Sequence, residues 1–178
     1  MTTSNLEEIF QAASAAPTAE IIVEEVVTRK DESLDNLVYY TVELASCMYH
    51  LNMQACLIAL NLEHPNFCSL QPFLKEQAEC HMKDFECLAE TVRSMDYLLP
   101  MCQKGLLGYN KGFKTTTSYD AKEALGLYCK NLEDIGYKAK DCHDKAKQIG
   151  APDLENIIAD VIHHMFSGAW KLKSSMRG

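Results

Sequence analysis

The stretch from Leu60 to Glu90, LNLEHPNFCSLQPFLKEQAECHMKDFECLAE, decides the fold. Its opening holds Pro65 and polar residues that stop one helix before another starts. From Leu70 onward the pattern steps by three and four residues: Leu70, Leu74, Gln77, His81, Phe85, Leu88, then Val92 and Met95. That is the period of an amphipathic helix with one buried face. The spacing predicts a helix from Ser69 to about Met95, with Pro72 tolerated in its first turn. Gln77 and His81 stand where Leu or Ile would pack, and Asp84 lies beside them. A polar group on a buried face must find a partner or bind something, because an unsatisfied one costs about 1–3 kcal/mol.

Upstream, Leu34–Leu62 reads as a helix with Ser33 as N-cap. Its apolar residues (Leu37, Val38, Leu44, Met48, Leu51, Ala55, Leu57 and Ile58) wrap nearly all round. A helix of that kind is covered on more than one side, so contacts with other copies are expected. Downstream, YLLPMCQKGLLGYNKGFKTTT breaks the periodicity and reads as a long crossover with a short helix. A third long helix starts at Ser118 and carries the seam Ala121, Leu125, Tyr128, Leu132, Ile135, Ala139, Cys142 and Ala146. Gly150 and Pro152 end it. The last helix starts at Asp153, with Leu154, Ile157, Val161, His164, Gly168 and Leu172 on its seam. Four long helices with a long link between the second and third define an all-α, ferritin-like four-helix bundle with one long crossover. Residues 33–178 form this bundle, and residues 1–32 read as an acidic surface arm.

The composition agrees with one globular domain. The chain has 178 residues, 47% hydrophobic and 24% charged, with five Pro and eight Gly. Its net charge of −8 gives a free subunit little attraction to nucleic acid. No apolar run reaches the ~18 residues of a membrane span. MTTSNLEEIF has neither the basic region nor the apolar core of a secretion signal, so a cytoplasmic location is expected. The eight Cys occur singly, without CxxC, and read as reduced thiols used as small core residues.

Three segments carry a family resemblance. LNLEHPNFCSL (60–70) resembles the junction of the first two helices in the Dps family of mini-ferritins, HWNxxGxxFxxLH. FECLAETVRSM (85–95) resembles that family's DxxAERxxxLG, and GAPDLENIIADVIHHMFSGAWKL (150–172) resembles its GDxxTADLL…W segment. The likeness spans about residues 34–175 in the expected order. It implies a hollow shell, mostly of twelve subunits, that oxidises Fe(II) with hydrogen peroxide or dioxygen and stores the ferric product. The implied cofactor is non-haem iron, as a di-iron centre in related proteins. The family's DNA binding often uses lysine-rich tails. Here the N-terminal arm has seven acids against two bases, so strong DNA binding is not expected.

The same resemblance implies two places for metal. The Dps interface site falls on Glu86 and Glu90, but its two histidines fall on Ala59 and Gln71. Alanine cannot ligate and an amide ligates weakly. Glu63 or His64 in the same junction is a substitute. Larger ferritins and bacterioferritins hold two irons inside each subunit, with a Glu from two helices and an ExxH pair from the other two. Likeness to them places His81 and Asp84 at one pair, in reversed order, and His164 and Ser167 at the other. Glu43 comes from the first helix, and Asn131 or Glu133 from the third. Periodicity independently puts His81 and His164 on buried faces. Either they bind metal with Asp84, or His81 and Asp84 satisfy each other without metal. Two further readings stay open: a ferritin-like shell that no longer oxidises iron, and a ferritin-like enzyme with an apolar cavity beside its metals.

Overall fold

The structure is a computed structural model that describes residues 32–110 and 112–177. The expected acidic arm lies outside the described residues. Four long helices and one short one follow each other: α1 (Glu32–Asn61), α2 (Phe67–Ser94), α3 (Gln103–Leu107), α4 (Ala121–Ile149) and α5 (Pro152–Met176). The structure contains no strand among the described residues, and no helix there is long and apolar enough to cross a membrane.

Helix α1 contains neither Gly nor Pro, which leaves thirty residues free to propagate. Asn61 ends it by donating its side-chain amide to the Leu57 carbonyl at 2.8 Å. Helix α2 starts at Phe67, two residues before the expected Ser69, because the turn at His64–Asn66 already supplies helical geometry; Phe67 N–H donates to the His64 carbonyl. Pro72 therefore lies past the first turn, inside the helix. Its ring cannot donate to the carbonyl of Cys68, which stands on an exposed residue where water can take that bond. At the other end Asp96 adopts a left-handed φ of 68° and turns the chain out of α2.

The crossover is tied to the bundle. Tyr97 is buried and donates its hydroxyl to Asp35 on α1. The carbonyl of Lys114 accepts from Asn131 on α4 at 2.8 Å, and His50 stacks on Phe113 with ring centres 4.6 Å apart. Helix α4 is capped by Asp120 rather than Ser118, with the Asp120 carboxylate accepting from Glu123 N–H at 2.7 Å. Ser118 instead braces the approach, accepting from Asp120 N–H. Gly150 closes α4 in a left-handed conformation, φ 77°, which needs no Cβ there. Pro152 occupies the first turn of α5, where its missing N–H costs nothing.

The helices pack in a ring. α1 lies along α2, α4 along α5, α1 against α4, and α2 against α5. The seams expected for α2 and α4 point inward except at Phe85, Met95 and Ala121, which are half-buried, while Asp84 is buried in place of Phe85; on α5 Ile158 and Met165 are buried, and the expected Ile157 and His164 are only half-buried. Leu37, Met48, Leu51, Leu74, Leu88, Leu125, Leu132, Leu154, Ile158 and Met165 fill the centre. Outward, Met53, Leu57 and Leu60 on α1 remain exposed, Leu60 at 75%. Two glycines let helices approach. A Cβ on Gly136 would stand 2.9 Å from the Phe166 ring, and one on Gly168 would stand 2.3 Å from the Gln77 side-chain oxygen.

Gly136→Ala forces Phe166 or α5 to move. It should destabilise the fold by about 1–3 kcal/mol, lowering the thermal midpoint by roughly 2–4 °C per kcal/mol. Calorimetry on the wild type and the variant checks it, and an unchanged midpoint would show that the ring has room to give.

Candidate metal centre

Helical spacing brings three side chains, Cys80, Asp84 and His164, to one place, with the exposed Asp160 nearby. Cys80 and Asp84 are one turn apart on α2, and Asp160 and His164 are one turn apart on α5, so each pair projects from one side of its helix. His164 Nδ1 meets both carboxylate oxygens of Asp84 at 3.0 Å. The Cys80 thiol points at the same carboxylate, 3.9 Å away. The sulfur of Cys80, a carboxylate oxygen of Asp84 and a ring nitrogen of His164 all lie within 4.8 Å of one another. The Asp84 side chain is 9% exposed and that of His164 37%, so the group sits at the edge of the α2–α5 seam with one side open. Burial raises the Asp84 pKa, the His164 contact works against that rise, and Asp160 adds to it. Burial first, then the charge of Asp84, pushes the Cys80 thiol up to about 11.

His81 faces the centre of the bundle, and its partner there is Tyr128. Its Nε2 is 2.7 Å from the Tyr128 hydroxyl on α4, across the diagonal of the ring. Both residues are fully buried. Burial, with a smaller contribution from the nearby His164, lowers the His81 pKa to about 3, so the ring is neutral. Burial holds the Tyr128 hydroxyl well above its ordinary pKa. Two neutral groups therefore share one hydrogen bond. The second ring nitrogen, Nδ1, is buried with no hydrogen-bond partner, as is the side-chain oxygen of Gln77 one turn earlier.

The other expected ligands lie apart from this group. Glu43 on α1 is paired with Lys138 on α4 at 2.7 Å. Glu133 on α4 is paired with Lys173 on α5. Asn131 donates to Gln54 at 3.0 Å as well as to the crossover. Glu86 and Glu90 are exposed on the outer side of α2, Gln71 is half-buried, and Ala59 is buried in α1. Of the residues expected to hold metal, Asp84 and His164 are in contact. Cys80, Tyr128, Lys138 and Lys173 have roles that the seam pattern did not single out. A cleft of about 340 Å³ opens between α1 and the crossover, lined by residues such as His50, Met53, Leu57, Phe113 and Tyr119. It shares no residue with the Asp84–His164 group.

No family model matches the sequence, and no curated protein matches it. Solved structures do resemble the fold. The Dps protein of Vibrio cholerae, described as a member of a superfamily of ferritin-like diiron-carboxylate proteins, matches with a TM-score of 0.74 at 15% identity, over 81% of this chain and 91% of that one. A Dps protein from Bacillus brevis gives 0.78 at 16% identity, over 83% and 99%. The bacterioferritin-related protein of Bacteroides fragilis, described as a dodecameric thioferritin, gives 0.76 at 12% identity, over 90% and 92%. The chain therefore has the ferritin-like four-helix fold.

Tyr128→Phe removes only the hydroxyl that meets His81. The lone imidazole left in the core should cost about 1–3 kcal/mol, read as a lower urea midpoint with an unchanged slope. Equal midpoints would mean that His81 finds another partner.

Proposed function

We propose that this chain is the repeating subunit of a hollow, Dps-type shell that sequesters iron, and that it has no di-iron ferroxidase centre inside the bundle. The observation behind the second part is the pairing of Glu43 with Lys138 and of Glu133 with Lys173. Ferritin-like di-iron centres need a Glu from each of two helices and a Glu–His pair from each of the others. Here the two helices that should give single carboxylates present them to ammonium groups. A lysine in contact occupies the carboxylate lone pairs and repels an incoming cation. What is left is one carboxylate, Asp84, with His164, while His81 is engaged by Tyr128. That set does not fit two irons, and no oxidation step is assigned to it.

The Dps-like interface site is short of donors too. Glu86 and Glu90 are exposed carboxylates, but Ala59 has no ligating atom and the amide of Gln71 is a weak one. Iron is then cargo rather than a resident cofactor. Support for the shell comes from the fold and from the apolar residues left exposed on α1, which suit contact with further copies. Twelve copies is the expected number, as in the dodecameric protein of Bacteroides fragilis whose fold it shares. A charge of −8 per subunit, repeated around a shell, attracts Fe(II). Oxidation by dioxygen or hydrogen peroxide would proceed at exposed carboxylates and on the ferric deposit itself.

Stopped-flow mixing of Fe(II) with the assembled protein in air or peroxide tests this. The expected trace has no fast phase ending at two irons per subunit, and gel filtration afterwards finds ferric iron travelling with the shell. A fast phase of that stoichiometry would restore the internal centre. A shell that retains no iron would remove the storage role and leave a scaffold.

A further inference from the structure

We propose that Cys80, Asp84 and His164 form a mononuclear site for a zinc-class divalent cation, separate from any iron chemistry. The three donors are a sulfur, a carboxylate oxygen and an imidazole nitrogen, all within 4.8 Å of one another on two facing helices. Four-coordinate zinc holds such atoms at about 2.0–2.3 Å, which sets donors roughly 3.3–3.7 Å from each other. The observed separations need only side-chain rotations to close on an ion. All three donors stand on regular helices, and Cys80 and Asp84 use the one-turn spacing that aims two side chains at one point.

The donor set chooses the metal class. A thiolate with one imidazole and one carboxylate is a borderline-soft, low-coordination set, which suits zinc and leaves hard, six-coordinate ions short of ligands. At equal availability, zinc also outcompetes Fe(II) at a site of given donors. The charges balance: one thiolate and one carboxylate offset the two positive charges, and the imidazole is neutral. Binding replaces the S–H bond of Cys80 with an S–metal bond and releases that proton to solvent. The Asp84–His164 contact opens so that each presents its lone pair to the ion. His164 is 37% exposed, so the ion enters from that side and a water completes the fourth position. Asp160 lies one turn before His164 and is electrostatically coupled to Asp84.

The second polar neighbour bears on the site as well. His81 follows Cys80 in the chain, is fully buried, and has a ring nitrogen without a partner. It closes the inner side of the site with its bond to Tyr128.

Cobalt(II) reports the site directly, because a cysteine thiolate bound to tetrahedral cobalt gives a charge-transfer band and intense visible bands. Metal-free full-length protein should take up one Co(II) per subunit with those bands, and one Zn(II) should displace it. Cys80→Ser should remove the thiolate band and weaken zinc binding by about a hundredfold or more; His164→Ala should weaken it similarly. Cys87→Ser, an exposed thiol on the same helix, should change neither. Circular dichroism confirms that each variant folds. A thiolate band that survives in Cys80→Ser, or no bound metal in the folded wild type, would overturn the site. Iron retention, measured on the same Cys80→Ser shells, should be unaffected, so this inference and the storage reading fail separately.

Discussion

A carboxylate that leaves water must be neutralised, and how this bundle does so shapes everything else about it. Asp84 is buried beside the α2–α5 seam, while Glu43 and Glu133 are half-buried at helix edges. Glu43 takes Lys138, Glu133 takes Lys173, and Asp84 takes His164. Each pair links two different helices, so each also helps fix how those helices sit against one another. The first two pairs use a permanently charged ammonium, which turns a potential metal ligand into a structural tie. The third uses an imidazole, which can give up its contact for a metal without leaving a buried positive charge. That difference sets the Asp84–His164 pair, between α2 and α5, apart from the other two.

The core is built around a second constraint, the accommodation of polar atoms on the α2 seam. His81 reaches Tyr128 across the full width of the bundle. Gln77 lies against Gly168, where any Cβ would collide with its oxygen. Glycine at 168 therefore leaves the room that the Gln77 side chain occupies between α5 and α2. The same close approach brings His164, one turn away, onto Asp84. The cluster at the edge of the seam thus depends on the residues packed behind it.

Much of this was legible in the sequence. The three-and-four spacing located α2, α4 and α5, and the pattern break between Met95 and Ser118 marked the crossover. His81 was correctly placed on a buried face. What periodicity could not supply was partnership. Asp84 and Phe85 are adjacent, and a turn of the helix by less than one residue exchanges which of them is buried; packing against His164 settles it. Nothing in the sequence pattern singles out Lys138 or Lys173 as partners of Glu43 and Glu133, since those partners lie on other helices and depend on register. Cys80 counted as one more thiol among eight, although its one-turn spacing from Asp84 was a signal available in the sequence. The likeness to Dps and other ferritin-like structures, at 12–16% identity in the three cases above, carries the fold and leaves the site to be argued from its own atoms.

The most direct measurement of the central claim is an iron-edge anomalous difference map from crystals soaked anaerobically in Fe(II), with zinc excluded. The account predicts that Glu43 and Glu133 stay with their lysines and that no pair of irons lies within the four-helix bundle. Two peaks about 3.5–4 Å apart, the spacing of a two-metal centre, bridging Asp84, His164 and either glutamate, would contradict it.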